Sequence, residues 1–364
     1  MKIGRRLEDL AVEVQRRSEA KRDFIAPVER LKMIPNLQSP GAQLQLSGPV
    51  TQIYDVNTVA HNQLVEYTKI PGDYYKRLLV ADPNLLATNV NFWLGKKETG
   101  ERRMVRTLDG KVRAVLSAGY RALENEDLAE AVLPILIEQD LIIMSCEVTD
   151  TRLYIKAVDR NIVKDIPTGA MLGEGHQFFD TISPAIVISN SEVGYGALSI
   201  EVGVWTKLCT NMAVFDATMR KYHTGARAEL SDEVYALLTD ETKRLTDAAV
   251  WNQARDLVRS AFSTDLFNKH VEKLTEAGEQ KIAGDVVEVV KRVAKRYTLS
   301  EGERTGVLNQ LIQGGNLSRY GLHAAITRHS ADVEDYDRAT TLERLGGAII
   351  ELPKTDWENL AVAA

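Results

Sequence analysis

Apolar residues recur along this chain with two different periods, and the switch between them predicts most of its elements. Leu7, Leu10, Ala11 and Val14 follow the i, i+3, i+4, i+7 spacing of one helix face, with Arg5, Arg6, Arg16, Arg17, Lys21 and Arg22 on the others. They predict an amphipathic helix over 5–22. A helix so short and charged is marginal alone, so it docks on its own domain or on a neighbouring subunit. Gln43–Ser47 alternates as a strand does. Asn57 caps a predicted helix through about Tyr67, Pro71 opens another that carries Tyr74 and Tyr75, and Asp82-Pro83 starts a third leading to Phe92-Trp93-Leu94.

Residues 102–117 read as a β-hairpin, because Asp109-Gly110 suits a two-residue turn with positive φ. Regular alternation puts Arg103, Val105, Thr107, Val112, Ala114 and Leu116 on a core face. Arg102, Met104, Arg106, Lys111, Arg113 and Val115 fall on the other, with Arg106 directly opposite Arg113. Asn125 then caps a helix through roughly Glu138. A second hairpin pairs Leu141–Val148 with Arg152–Val158 through Thr149-Asp150-Thr151. Between Asp159 and Asp180 the chain is Gly-rich and reads as a long loop. Ala185–Ser189 and Ala197–Leu208 supply strand or short-helix material.

Hairpin, helix, hairpin is an α+β signature rather than alternating βαβ. From Ser231 helical periodicity dominates, with helices predicted at 232–262, 264–276, 281–297, 301–313, 318–329 and 335–345. Ser300-x-x-Glu303 is a capping box, and Gly314-Gly315 and Gly346-Gly347 look like helix stops. The expected organisation is an N-terminal helical arm (1–30), an α+β domain carrying the hairpin (31–228) and a helical domain (229–364).

Composition narrows the function. The 364 residues are 44% hydrophobic and 26% charged, ordinary for a globular chain, and a formal charge of −6 excludes a protein that coats nucleic acid with its whole surface. A local basic patch stays open. Cys146 and Cys209 lie far apart in apolar runs and read as buried free thiols, without a disulfide framework or metal constellation. The N-terminus lacks an apolar signal-peptide core, and no run approaches the roughly 18 apolar residues of a membrane span. The expectation is the cytoplasm of a bacterial cell, without membrane association or cofactor.

Like charges opposed across a strand pair cost a few tenths to about 1 kcal/mol. Arg106 and Arg113 therefore ask for an anion, and guanidinium forks match phosphate oxygens. Arg102 and Lys111 share their face. Arg121, Lys96 and Lys97 widen the patch, and Tyr120, Trp93 and Phe92 are candidates for stacking on bases. The competing reading is that carboxylates such as Glu98, Glu101 or Glu124 neutralise the face, and that Trp93 belongs to the core. Lys221 and His223, in a loop before Gly225, form a further phosphate candidate, although a lone turn histidine is more often a structural hydrogen-bonder. Lys291, Arg292, Lys295 and Arg296 read as a solvated helix face.

Enzyme signatures are missing. Gly173-Glu174-Gly175 and Gly194-Tyr195-Gly196 have no phosphate-loop lysine after them. Asp180, Glu192 and Glu201 would have to gather in space to hold a nuclease metal, and their spacing does not require it.

Several stretches resemble the phage/plasmid-like domain-of-unknown-function family 932. The most telling is Arg103-Met104-Val105-Arg106-Thr107-Leu108-Asp109 with Arg113-Ala114-Val115-Leu116-Ser117 and Tyr120-Arg121-Ala122-Leu123-Glu124-Asn125. Ser189-Asn190-Ser191-Glu192-Val193-Gly194, Leu317-Ser318-Arg319-Tyr320-Gly321-Leu322 and Tyr336-Asp337-Arg338-Ala339 add to it. Met212 departs from it, at a place where the family favours glycine and a turn. The resemblance implies a role in mobile-element biology and no particular activity. Two functions fit the residues. One is a DNA-metabolism protein that binds single-stranded nucleic acid as an oligomeric annealing factor. The other is a non-enzymatic self-assembling scaffold or host-interaction protein. A metal-dependent nuclease ranks third.

Overall fold

A computed structural model describes residues 1–36, 38, 41–171, 176–207, 211–221 and 238–362. The fold is α+β and is built on two sheets. The first runs β1 (Arg22–Pro27), β5 (Arg102–Leu108), β6 (Lys111–Ser117), β4 (Gln52–Val56), β3 (Ala42–Leu46) and β2 (Leu31–Pro35), with only β4 and β6 parallel. Its inner face packs on α2 (Thr58–Thr68), α3 (Gly72–Ala81) and α4 (Pro83–Leu94), through Leu44, Met33, Val105, Val112, Leu64, Leu86 and Val90. The predicted starts are the ones used. Asn57 accepts the Ala60 amide, Pro71 precedes α3, and Asp82 accepts the Leu85 amide with Pro83 in the first turn.

The second sheet runs β12 (Asn211–Lys221), β11 (Leu198–Thr206), β10 (Gln177–Asn190), β8 (Leu153–Val158) and β7 (Ile142–Val148), with β9 (Lys164–Met171) also pairing β10. The stretch expected to be a loop between Asp159 and Asp180 thus contributes β9 and the start of β10. Every residue of β11 is buried, including Ser199 and Glu201 on the parity opposite Leu198, Ile200, Val202 and Val204, so its polar positions do not mark a solvent face. The turn expected at Asn211-Met212 is also strand, with Met212 fully buried.

One face of this sheet carries α1 (Leu7–Ala20), α5 (Asn125–Glu138) and α6 (Asp240–Ser260). Leu10 and Val14, Leu128 and Leu136, and Trp251 and Val258 share a core with Ile155, Ile186 and Ile200. That core crosses residue 228, which therefore marks a change of element type rather than a gap in the packing. The other face carries α7 (Thr264–Glu279), α10 (Arg319–His329) and α11 (Tyr336–Glu351), with α8 (Val286–Arg296), α9 (Glu301–Gly314) and α12 (Lys354–Ala361) outside them. Ser300 and Glu303 form the capping box, and Gly315 ends α9 in the left-handed region.

Gly346-Gly347 do not stop a helix; they lie inside α11. A Cβ on Gly347 would land on the Val214 carbonyl of β12, and one on Gly346 would strike Thr327. Gly347 lets α11 lie directly on β12, and Gly346 lets it close on α10. Beside them Lys156 and Glu343, both fully buried, pair at 2.7 Å. Cys146 is buried, and burial pushes its thiol up to about 12; Cys209 lies outside the described residues. Among the described residues no helix is long and apolar enough to cross a membrane.

Candidate functional site

The β5–β6 hairpin forms as its turn predicts, with Asp109 and Gly110 at φ 51° and 74°. Its register does not. Arg106 pairs with Ala114 and Thr107 with Val112, so Arg113 is the extra residue of a β-bulge and does not oppose Arg106. The bulge reverses alternation beyond it. Val115, expected outside, packs with Val105 and Val112 in the first core. Ala114 and Leu116, expected in that core, join Val59, Val193 and Met104 on the opposite side.

That opposite side is covered. The loop after β10 and the start of α5 close over it and bring Glu192 and Glu124, to which β1 adds Asp23. Arg106 is 0% exposed. It donates to Asp23 Oδ1 at 3.0 Å, Glu124 Oε1 at 2.6 Å and the Glu192 carbonyl at 2.8 Å. Arg113 donates to Glu192 Oε2 at 2.7 Å, and the other Glu192 oxygen accepts the Asn125 amide at 2.8 Å. Lys21 reaches Glu124 at 3.0 Å. The anion these arginines ask for is supplied from within the chain.

Charge in this seam is shared unevenly. Burial would raise the Glu192 carboxyl, but Arg113, the Glu124 hydrogen bond, the Asn125 amide and Arg106 pull it down to about 2. Burial keeps the Glu124 carboxyl raised against the pull of Arg106, and the Glu192 charge adds to the rise. Of the two, Glu192 is the one held ionised, and Glu124 is the one that takes up a proton first as pH falls.

The remaining expected contacts separate into groups. Tyr120 is not a stacking platform: its hydroxyl donates to the Ser191 carbonyl at 2.9 Å and accepts the Gly194 amide at 3.1 Å. Arg121 is buried and bound to Asp247 of α6. Arg106, Arg113, Tyr120 and Arg121 are thus withdrawn as nucleic-acid contacts, because desolvation and internal partners remove them from any ligand. Arg102 and Lys111 are exposed at opposite ends of the hairpin strands. Lys221 ends β12, and His223 lies outside the described residues. Arg113 also lines a cavity of about 10 Å³ with Arg17 and Arg152, which suits one water and no phosphate.

The nuclease trio is dispersed. Asp180 accepts from Tyr320, Glu192 from Arg113, and Glu201 from Arg344. Among the described residues no cluster of histidine, cysteine or carboxylate side chains could hold a metal ion. His61 and His323 are held neutral, each lowered to about 4 by burial.

Two surfaces stay open instead. Phe92 and Trp93 stand 55% and 44% exposed at the end of α4, edge to face at 5.2 Å, with Lys96 5.4 Å from the Phe92 ring. Trp93 is therefore not the core residue its helical spacing favoured. A trough of about 810 Å³ runs between α1 and α5, floored by Leu10, Val14, Ala129, Leu133 and Pro134. Ile137 stands at its edge, 65% exposed, and Glu126, Glu130 and Glu138 line its α5 side. The trough was missed in the sequence, although α5 carries apolar residues all round and one helix buries only part of its circumference.

No family model matches the chain, and comparison with curated proteins and with solved structures likewise returns no match.

Proposed function

We propose that this protein works by binding and self-association rather than by chemistry, as a non-enzymatic assembly protein of a phage or plasmid. The observation that carries this reading is the trough between α1 and α5. Large apolar groups left in water at a contiguous patch mark an interaction surface. The patch can pair with its own copy: each chain offers both a trough and the projecting Ile137, as a two-fold interface requires. Light scattering on the purified chain tests it. A dimer or larger closed assembly is expected, reduced to monomer by Ile137→Asp; a wild-type monomer at micromolar concentration refutes it.

A second reading, single-stranded nucleic acid as ligand, rests on the exposed Phe92–Trp93 pair beside Lys96. Stacking on aromatic residues contributes about 1–3 kcal/mol per base and tolerates any sequence. Fluorescence anisotropy with a labelled oligonucleotide at low salt tests it. Binding that survives Phe92→Ala with Trp93→Ala places the contact elsewhere.

A further inference from the structure

The first sheet has two edges, β2 and β1, and they are finished differently. At β2 the outward N–H and C=O of Met33 are both taken by the Asn91 carboxamide of α4, at 2.7 and 2.8 Å, and Pro35 has no N–H to offer. The outer edge of β7 in the second sheet is likewise occupied, because Arg5 exchanges two backbone bonds with Cys146. Among the described residues, β1 has no such cover.

The register of β1 shows which of its groups are left over. The Val28 amide donates to the Glu101 carbonyl at 2.8 Å, and the Arg22 carbonyl accepts the Thr107 hydroxyl at 3.0 Å. Even-numbered residues of β1 therefore turn their backbone toward β5, and Asp23 and Ile25 turn theirs outward. No described group hydrogen-bonds to those two N–H and two C=O groups. Pro27 closes the run at one end, and at the other the Lys21 amide is spent on Arg17. Ile25 is 47% exposed, at a position where edge strands ordinarily carry a charge. Such a strand fits its own copy. Antiparallel pairing about a two-fold axis at Phe24 sets Asp23 opposite the second copy's Ile25, and Ile25 opposite its Asp23, so all four outward groups on each copy are used. Phe24 then faces Phe24 as an aromatic cross-strand pair, and Arg22 meets Ala26, so no like charges are opposed. A register two residues away brings Pro27 or Lys21 opposite, and neither has an amide to give.

We propose that β1 pairs with β1 of a second copy, continuing the first sheet across the junction, and that this contact joins dimers already formed through the α1–α5 trough. It rests on that reading. A junction three residues wide buries well under the roughly 1,000 Å² of a stable interface, so it holds only where each dimer presents two edges.

Native mass spectrometry of the full chain at high micromolar concentration is expected to show four copies or a higher even number. Ile25→Pro should return the mass to a dimer while the thermal midpoint stays close to wild type, because that amide makes no bond to β5 and proline is tolerated at such a position. Ile25→Lys, which keeps the amide but charges the edge, should give the same loss. The register has its own check. Facing Cα atoms at the Phe24 position lie about 4.5 Å apart, within disulfide reach, so Phe24→Cys should oxidise to a linked pair and Arg22→Cys should not. A wild-type dimer, or a larger assembly that Ile25→Pro and Ile25→Lys both leave intact, overturns this inference and leaves the trough standing. A wild-type monomer overturns both. Linkage through Arg22→Cys and not Phe24→Cys overturns the pairing register.

Discussion

The seam around Arg106 and the trough between α1 and α5 invert the usual placement of side chains. In the seam, cations of a hairpin are sealed between two sheets with carboxylates from α5 and the loop after β10. In the trough, a few residues of sequence away on α5, leucine, proline and isoleucine face solvent. Buried ion pairs gain little net stability over an apolar core, but losing one partner strands the other. Exposed apolar groups cost the folded chain little and remain available to a partner. The difference suggests that the seam fixes how the two sheets sit and that the trough is kept for association.

The sharpest way to break this contrast is Arg106→Leu. It leaves Asp23 without its partner, takes one cation from Glu124 and Glu192, which keep Lys21 and Arg113, and should cost about 3–5 kcal/mol in urea unfolding. A loss below about 1 kcal/mol would mean that the seam is not structural. Lys156→Met should cost a similar amount by leaving Glu343 alone, while Lys156→Met with Glu343→Leu should recover most of it, since an apolar pair replaces a closed ionic one.

Acid should act on the seam next. The Glu192 and Glu303 carboxyls both lie at about 2, below their ordinary 4.5, and Arg338 beside Glu303 is the main cause there. The folded state binds these protons less readily than the unfolded chain. Their contribution is therefore present above about pH 4.5 and lost as pH falls toward 2. Glu124, raised, works in the opposite sense, and its contribution changes above about pH 4.5, before this loss begins. Urea midpoints should fall between about pH 4.5 and 2, less steeply in Glu192→Gln; identical slopes for the two proteins would contradict the assignment. The smallest effect belongs to the trough. Ile137→Asp should change the unfolding free energy of the monomer by less than about 0.5 kcal/mol while changing the mass in solution. A large loss there would make the trough part of the core.

Much of the fold was legible because its signals are local. Asn57, Asp82-Pro83, Asp109-Gly110 and the Ser300–Glu303 box each act within four residues and sit where the sequence places them. What escaped depends on distant partners. The Arg113 bulge is invisible to alternation, and Gly347 of α11 answers to a strand more than a hundred residues earlier. The charge on the hairpin was readable; its burial was not, because Glu192 arrives 79 residues after Arg113. Glu124 was foreseen as a neutralising carboxylate, and it is one.

The Lys156–Glu343 pair spans 187 residues, and that spacing sets an order for the nascent chain. While the ribosome is still making the C-terminal helices, Lys156 has a strand to sit in but no counter-ion, and burying an unpaired ammonium costs several kcal/mol. The second sheet should therefore stay hydrated on that face until α11 emerges and lays Gly347 on β12. Long-range closure of this kind is slow and leaves apolar strands open in the meantime. Chains halted before Tyr336 should expose β8 and β11 and be held by chaperones, whereas the first sheet, complete by Ser117, can close early.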